Sequence, residues 1–184
     1  MKKILIYIIA SLAFSTLSAQ SRLLIGGGFF GQTITHPGLV FEMEYETNVS
    51  ETMSLPLRFD LGFYNHPRNH TGLFLDVHYG FRRYFKSGLF LEESIGIGVL
   101  GSRINTDVYN VDDNGVVSEG SKLNQPQFMP SLTLGIGFNL TSDSQKPMNI
   151  LWIRPKIAWE YPYKTTASFS PSLQIGYTHR LTKK

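Results

Sequence analysis

The sequence predicts an all-β protein, an eight-stranded antiparallel up-and-down transmembrane β-barrel that is preceded by a cleaved signal peptide. Three observations predict this fold. The chain starts with two lysines followed by an uncharged apolar stretch. Eight later segments alternate between apolar and polar residues. Charged residues make up 17% of the chain, against about 25% in soluble domains, which fits a protein with an apolar outer surface.

The first nineteen residues carry the pattern of an export signal. Lys2 and Lys3 form a positive start, residues 4–14 are mostly apolar, and small residues lead to Ala19, after which a peptidase can cut. A retained anchor helix is the alternative, but the apolar stretch is shorter than the ~20 residues that a spanning helix needs. We expect a Sec-type signal peptide over 1–19 and one barrel domain over 20–184.

Composition excludes several other classes of protein. Removal of the signal lowers the formal charge from +3 to +1, and the remaining chain has no basic run, so nucleic acid is not an expected partner. The sequence contains no cysteine, which excludes disulfides, thiolate metal sites and a lipid anchor on cysteine. No sequence motif calls for a cofactor, and we assign none.

Eight segments show the period-two alternation of strands, and turn residues separate them. They cover 22–32, 38–47, 52–64, 72–85, 89–103, 126–140, 149–163 and 168–182. Strands of globular domains are mostly about five or six residues long. These segments instead match the ~9–11 tilted residues that cross a bilayer.

The two faces of each segment differ in polarity. In the third segment, Leu57, Phe59 and Leu61 alternate with Arg58 and Asp60. Alternation alone does not say which face is inside, because a soluble lipocalin-like barrel has its apolar face inward and a membrane barrel has it outward. The polar face is rich in glycine and nearly balanced in charge, and of the seven lysines after residue 19 only Lys156 lies in mid-strand. These features favour a polar interior.

We therefore predict that paired charges fill the barrel, because charges removed from water need partners. The predicted interior network is Glu42, Glu44, Arg58, Asp60, Asp76, His78, Arg82, Glu92, Arg154, Lys156, Glu160 and Arg180. An eight-stranded barrel has an interior that its own side chains just fill. A general diffusion pore is therefore not expected, and a narrow gated channel is an alternative.

The connections between segments predict which end faces outward. With the N-terminus in the periplasm, the connections at 48–51, 86–88 and 141–148 lie on the periplasmic side. Those near 33–37, 65–71, 104–125 and 162–167 lie outside, and they include the longest one. Asp113-Asn114-Gly115 reads as a hairpin tip that extends the fifth and sixth strands into a protruding arm. We predict that this arm contacts a protein or cell-surface partner.

Three histidines form the one candidate for chemistry. His36, His66 and His70 fall on the predicted outer loops, near a loop that contains Asp107, Asp112 and Asp113. A histidine beside a carboxylate can act as a general base, and three histidines can bind a metal. The favoured interpretation is a polar surface turn without chemistry. We assign no catalytic residue, no metal ligand and no enzyme activity.

The last segment adds a resemblance to a known family. Its end reads Gln174-Ile175-Gly176-Tyr177-Thr178-His179-Arg180-Leu181, which is similar to the C-terminal assembly signal of outer-membrane barrels, although His179 replaces an apolar residue and the chain does not end on an aromatic. With its eight segments, the chain resembles the small outer-membrane β-barrels of Gram-negative bacteria, the OmpA membrane domain and OmpX type.

The resemblance implies an outer-membrane location, contact with outer-membrane lipid and a structural or adhesion role. The alternatives are an outer-membrane hydrolase with a histidine–carboxylate site at the rim, a soluble periplasmic lipocalin-like carrier, and a narrow gated channel.

Overall fold

The computed structural model describes residues 21–32, 36–141, 149–163 and 166–181. The predicted signal peptide, 1–19, lies outside the described residues. No helix in the described part of the chain is long and apolar enough to cross a membrane.

Strands account for most of the described chain. They are β1 (Ser21–Gln32), β2 (His36–Asn48), β3 (Met53–Asn65), β4 (His70–Tyr84), β5 (Leu89–Ile104), β6 (Tyr109–Val111), β7 (Val117–Glu119), β8 (Gln127–Phe128), β9 (Ser131–Asn139), β10 (Asn149–Tyr163) and β11 (Thr166–Arg180).

These strands close into an eight-stranded antiparallel barrel. Successive strands β1 to β5 pair in order, and β5 and β10 both pair with β8 and β9. Strands β8 and β9 together form the sixth strand of the barrel, which is interrupted at Met129 and Pro130. Proline has no N–H to donate to a neighbouring strand. Pairing of β1 with β11, from Leu24 with Arg180 to Gln32 with Ser172, closes the ring and leaves no free sheet edge in the barrel.

The eight predicted segments correspond to the eight barrel strands. Their bounds differ from the observed ones by at most two residues, because the alternation of apolar and polar residues runs through each strand. At the barrel end that carries the arm, the other connections are shorter than predicted. The reason is that β2 already begins at His36 and β4 at His70. Strands β6 and β7 lie within the predicted arm. Ser21 and Leu181, the first and last residues that the structure describes, lie at the opposite end of the barrel.

The apolar face of the strands is on the outside. Leu61, Leu75 and Ile95 are exposed, whereas Arg58 and Asp60 are buried inside the barrel. The alternative of a lipocalin-like barrel with an apolar interior is therefore wrong. Exposed aromatic side chains near both ends of this outer surface, such as Phe63, Trp159 and Tyr177, resemble the interfacial girdles of membrane barrels.

Candidate functional site

The arm, residues 104–125, is a two-stranded ribbon beyond the barrel wall. Strand β6 pairs with β7, from Tyr109 with Glu119 to Val111 with Val117. At the tip, the Asp112 carboxylate accepts hydrogen bonds from the backbone N–H groups of Asn114 and Val116, at 3.0 and 2.7 Å. Gly115 has a φ of +80°, which a residue with a side chain rarely adopts. The sequence of the tip thus specifies a tight turn.

The base of the arm continues the hydrogen bonding of the barrel. The N–H of Ile104 donates to the carbonyl of Lys122 at 2.7 Å, and the N–H of Asn124 donates to that of Ser102 at 3.0 Å. The Lys122 ammonium also bonds the Asp107 carboxylate at 2.7 Å, and this bond holds the pKa of Asp107 below its usual value. These contacts fix where the arm leaves the barrel.

Apolar side chains of the arm lie in solvent. The large exposed ones are Tyr109, Val111, Val116, Val117 and Leu123. They lie apart from the lipid-facing surface of the barrel because they belong to a segment outside its wall. A ribbon of two strands also has two edges of unpaired backbone groups, and such edges are sites where another chain can add a strand.

A cavity of about 580 Å³ with both polar and apolar lining opens at the arm end of the barrel. We call it the mouth. Inward-facing side chains at the ends of β1, β2, β4 and β10 line it, among them Gln32, His36, His70 and Glu160. Asn124 at the base of the arm covers one side, where it donates to the Ser102 hydroxyl at 2.8 Å. The mouth therefore joins the arm to the barrel interior.

The three histidines lie together at the mouth. The ring centre of His66 is 3.9 Å from that of His36 and 6.3 Å from that of His70. The Tyr64 hydroxyl and His70 Nε2 are 3.1 Å apart. Burial and repulsion by neighbouring imidazoles lower the pKa values of His36 and His70, which lie beyond the apolar band of the barrel. The charged form of both rings is therefore disfavoured.

Below the mouth, large apolar side chains close the barrel. They are Phe30, Tyr64, Phe74, Leu100, Met129 and Ala158, all buried. Phe30 packs against Phe74 with ring centres 4.8 Å apart. This apolar layer separates the mouth from the charged groups in mid-barrel.

The middle of the barrel contains a buried ion-pair network. Arg82 donates two hydrogen bonds to Glu44, of 2.6 and 2.7 Å, and two to Glu92, of 2.5 and 3.0 Å. Two-point guanidinium–carboxylate pairs of this kind are among the strong hydrogen bonds of proteins. The remaining ion pairs of the network are Arg58–Asp60, Arg58–Glu92, Arg154–Glu42, Arg154–Glu44, Arg154–Glu92, Arg82–Glu46 and Lys156–Asp76. His78 Nε2 lies 3.6 Å from the Asp60 carboxylate and 3.7 Å from the Asp76 carboxylate.

Inward-facing glycines make room for this network. Gly96 lies opposite His78, and Gly98 lies opposite Asp76. A Cβ at Gly96 would lie 2.5 Å from His78 Nδ1 and 2.6 Å from the Ser131 hydroxyl. The glycines on the polar face thus leave the space that the larger polar side chains on the neighbouring strand occupy.

Comparisons with known proteins agree with this architecture. Similar solved structures include Neisserial surface protein A (TM-score 0.54, 9% identity, covering 87% of this chain and 96% of that one). The outer-membrane enzyme PagL is also similar (TM-score 0.52, 11% identity, covering 85% of this chain and 98% of that one). So is Ail, the attachment invasion locus protein of Yersinia pestis, in complex with the heparin analogue sucrose octasulfate (TM-score 0.51, 12% identity, covering 87% of this chain and 97% of that one). The chain has the fold of a small eight-stranded outer-membrane β-barrel. No family model and no curated protein matches the sequence.

The barrel unites ten of the twelve residues of the predicted interior network. The two that it leaves apart are Glu160 and Arg180, because they lie near opposite ends of the barrel. Glu160 bonds Gln32 at the mouth, and Arg180 is half-buried near the chain ends, with no ion pair to a described residue. Glu46 and Arg22 extend the network toward that end, since Arg22 contacts Glu46 at 3.6 Å and Glu46 contacts Arg82.

The barrel does not bring the predicted carboxylates to the histidines. Asp107 bonds Lys122, and Asp112 holds the tip of the arm. Within the described ranges, no group of three or more His, Cys, Asp or Glu side chains is arranged to hold a metal ion. The residue that sequence reasoning missed at the mouth is Gln32. Its even-numbered position in β1 places it on the same inward face as Arg22, which is the signal that could have identified it.

Proposed function

We propose that this protein is exported behind its signal peptide to the outer membrane, where the plugged barrel anchors the arm at the cell surface for binding a partner protein. The observation that carries the proposal is the arm itself, a ribbon with open edges and exposed apolar side chains at one end of a barrel whose interior is filled. The end with the arm faces outward, and the end with the chain termini faces the periplasm.

The filled interior supports an anchoring role over a transport role. The apolar layer and the ion-pair network lie one below the other across the barrel. A solute would have to displace both, which means breaking buried charge pairs that are costly to separate. The barrel wall and its contents therefore serve to hold the external segments in place.

The arm supports binding of an extended segment of a partner. Its edges offer backbone N–H and C=O groups, and strand addition uses these groups for affinity and neighbouring side chains for specificity. Val111 and Val117 face each other in the ribbon and are exposed, so they can pack against a partner. The solved relatives include a surface protein and an attachment protein, and a surface contact role for this chain agrees with those descriptions.

The test is adhesion of bacteria that display the protein. A non-adherent strain expresses the wild-type chain, a chain in which a short Gly-Ser turn replaces 107–121, or the Val111→Thr, Val117→Thr double variant. We expect wild-type cells to gain cell–cell aggregation or binding to labelled matrix proteins, and both variants to lose the gain. As the control, all three strains must carry equal surface levels of folded barrel, which is recognised by a change in gel mobility on boiling in SDS.

Two results would contradict the proposal. If wild-type expression adds neither aggregation nor matrix binding, the arm has no adhesive role. If the chain with the replaced arm adheres as well as wild type, another part of the surface is responsible. The double variant separates apolar packing from the mere presence of the arm, because threonine keeps the β-branched shape of valine while adding a hydroxyl.

A further inference from the structure

The floor of the mouth carries a buried carboxylate that has no ion pair with a described residue and a buried amide oxygen that has no hydrogen bond from one. Glu160 is 7% exposed and Gln32 is 8% exposed. The Gln32 amide nitrogen donates to Glu160 Oε1 at 3.2 Å and to the Ser170 hydroxyl at 2.9 Å. The Gln32 amide oxygen, buried in the same place, receives no hydrogen bond from any described residue. Both residues line the mouth, and the amide oxygen of Gln32 is itself buried in its floor.

Glu160 has no ion pair with a described residue. Lys156, four residues earlier on the same face of β10, is bonded to Asp76. A buried carboxylate is costly unless a cation or hydrogen-bond donors compensate it. Gln32 and the Ser170 hydroxyl supply hydrogen-bond donors. The remaining demand at the floor of the mouth is for positive charge.

The walls of the mouth combine polar groups with the apolar side chains of Ile104, Pro162 and Phe169. Asn69, Asn124, Gln125 and Ser168 contribute amide and hydroxyl groups, and no described lysine or arginine lines the cavity. Such walls suit hydroxyl groups of a ligand, while the lone carboxylate disfavours phosphate, sulfate and carboxylate. The volume of about 580 Å³ falls within the range of small-molecule sites, about 300–1,000 Å³.

We propose that the mouth binds a small organic cation, with a protonated primary amine against the Glu160 carboxylate and the Gln32 amide oxygen and a polar neutral remainder against the amide and hydroxyl walls. The ammonium supplies the missing positive charge and donates to both acceptors at once. Anionic glycans do not fit this site. The site is independent of the apolar side chains on the arm.

The test uses a pair of probes that differ in one group. Glucosamine and glucose share a ring of hydroxyls, but glucosamine carries an ammonium where glucose carries a hydroxyl. The full chain is folded in detergent micelles, and binding is followed by calorimetry and by the NMR signals of the Gln32 side-chain amide. We expect glucosamine to shift these signals and to bind about tenfold or more tightly than glucose, the difference that one charge-assisted contact of about 1.4 kcal/mol makes.

Three variants test the assignment of residues. Glu160→Gln keeps the shape of the side chain and removes its charge, and we expect it to lose the preference for glucosamine. Gln32→Met removes the orphan oxygen and is expected to weaken glucosamine binding with Glu160 in place. Glu119→Gln on the arm removes an exposed carboxylate of the same type outside the mouth and should leave binding unchanged. A change in gel mobility on boiling in SDS shows which variants fold.

Three outcomes would overturn the proposal. Equal binding of glucose and glucosamine would mean that the site does not select positive charge. Unchanged glucosamine binding by Glu160→Gln and by Gln32→Met would place the cation elsewhere. If the wild-type chain binds neither glucosamine nor the longer amine spermidine, the mouth does not accept organic cations.

Discussion

Arg82 lies at the centre of the buried network, because its guanidinium contacts Glu44, Glu46 and Glu92. Replacement by alanine would leave these buried carboxylates with fewer cations. Removal of one partner from a buried pair costs about 3–5 kcal/mol, and we expect Arg82→Ala to lower the free energy of unfolding by that amount. Urea unfolding of the barrel in lipid vesicles, followed by gel mobility, measures the change.

Arg68→Ala is the matched control, since Arg68 is an exposed residue between β3 and β4. Substitutions at exposed positions of this kind change stability by about 0.5 kcal/mol or less. Similar losses for the two variants would mean that the network does not stabilise the fold more than a surface arginine does.

Gly96 tests whether the interior glycines are required for space. The methyl group of Gly96→Ala would lie 2.5 Å from His78 Nδ1, so His78 and its neighbours must move. Overpacking of a filled interior costs about 1–3 kcal/mol, and we expect Gly96→Ala to lower the free energy of unfolding by this amount in the same assay.

Gly101→Ala is the control for the glycine prediction. Gly101 is exposed, and its nearest atom to an added Cβ is the Leu73 carbonyl oxygen at 3.9 Å, so the methyl fits. We expect a change of about 0.5 kcal/mol or less. If Gly96→Ala is as stable as Gly101→Ala, the polar interior is more loosely packed than its geometry indicates.

At the scale of elements, the turn between β3 and β4 brings His66 and His70 together, and the start of β2 adds His36. The N–H of His66 donates to the His70 carbonyl at 2.9 Å, which fixes the hairpin. Repulsion by His66 contributes to the lowered pKa of both His36 and His70, after burial. His66→Asn removes this repulsion, so the charged forms of the other two rings become less unfavourable and their titration midpoints rise.

NMR titration of the histidine ring signals in detergent micelles measures these midpoints. In the wild-type chain we expect His36 and His70 to titrate below the usual 6.5. In His66→Asn both midpoints rise, but they stay below 6.5 because burial, the larger cause, is retained. Unchanged or lower midpoints in the variant would show that the three rings do not interact electrostatically.

The elements were largely predictable from the sequence, and the site was predictable only in part. Alternation of apolar and polar residues is a local signal, so it gave strand bounds to within two residues. Depth along the barrel is not local, because it depends on how each strand is staggered against its neighbours. Alternation therefore put Glu160 and Lys156 on one face, but it could not show that Glu160 reaches the mouth while Lys156 joins Asp76.

At the scale of the whole molecule, the interior is divided into layers that lie across the axis. The mouth has a mixed polar and apolar lining, the layer below it is apolar, and the middle is ionic. Further buried apolar side chains, among them Leu24, Phe90 and Trp152, lie toward the end with Ser21 and Leu181. A conducting path would need water or ions to pass every layer. Each layer resists for a different reason: desolvation in the apolar ones, and charge separation in the ionic one.

We therefore expect the purified barrel in planar lipid bilayers to give no steady large openings under applied voltage. Phe74→Ala, which thins the apolar layer below the mouth, should also give none, because the ion pairs beneath it remain. Heat-modifiable gel mobility of the same samples shows that the barrels are folded and closed. Steady large openings of the wild-type barrel would contradict the plugged interior, whereas openings confined to Phe74→Ala would show that the apolar layer alone, rather than the ion-pair network, keeps the barrel shut.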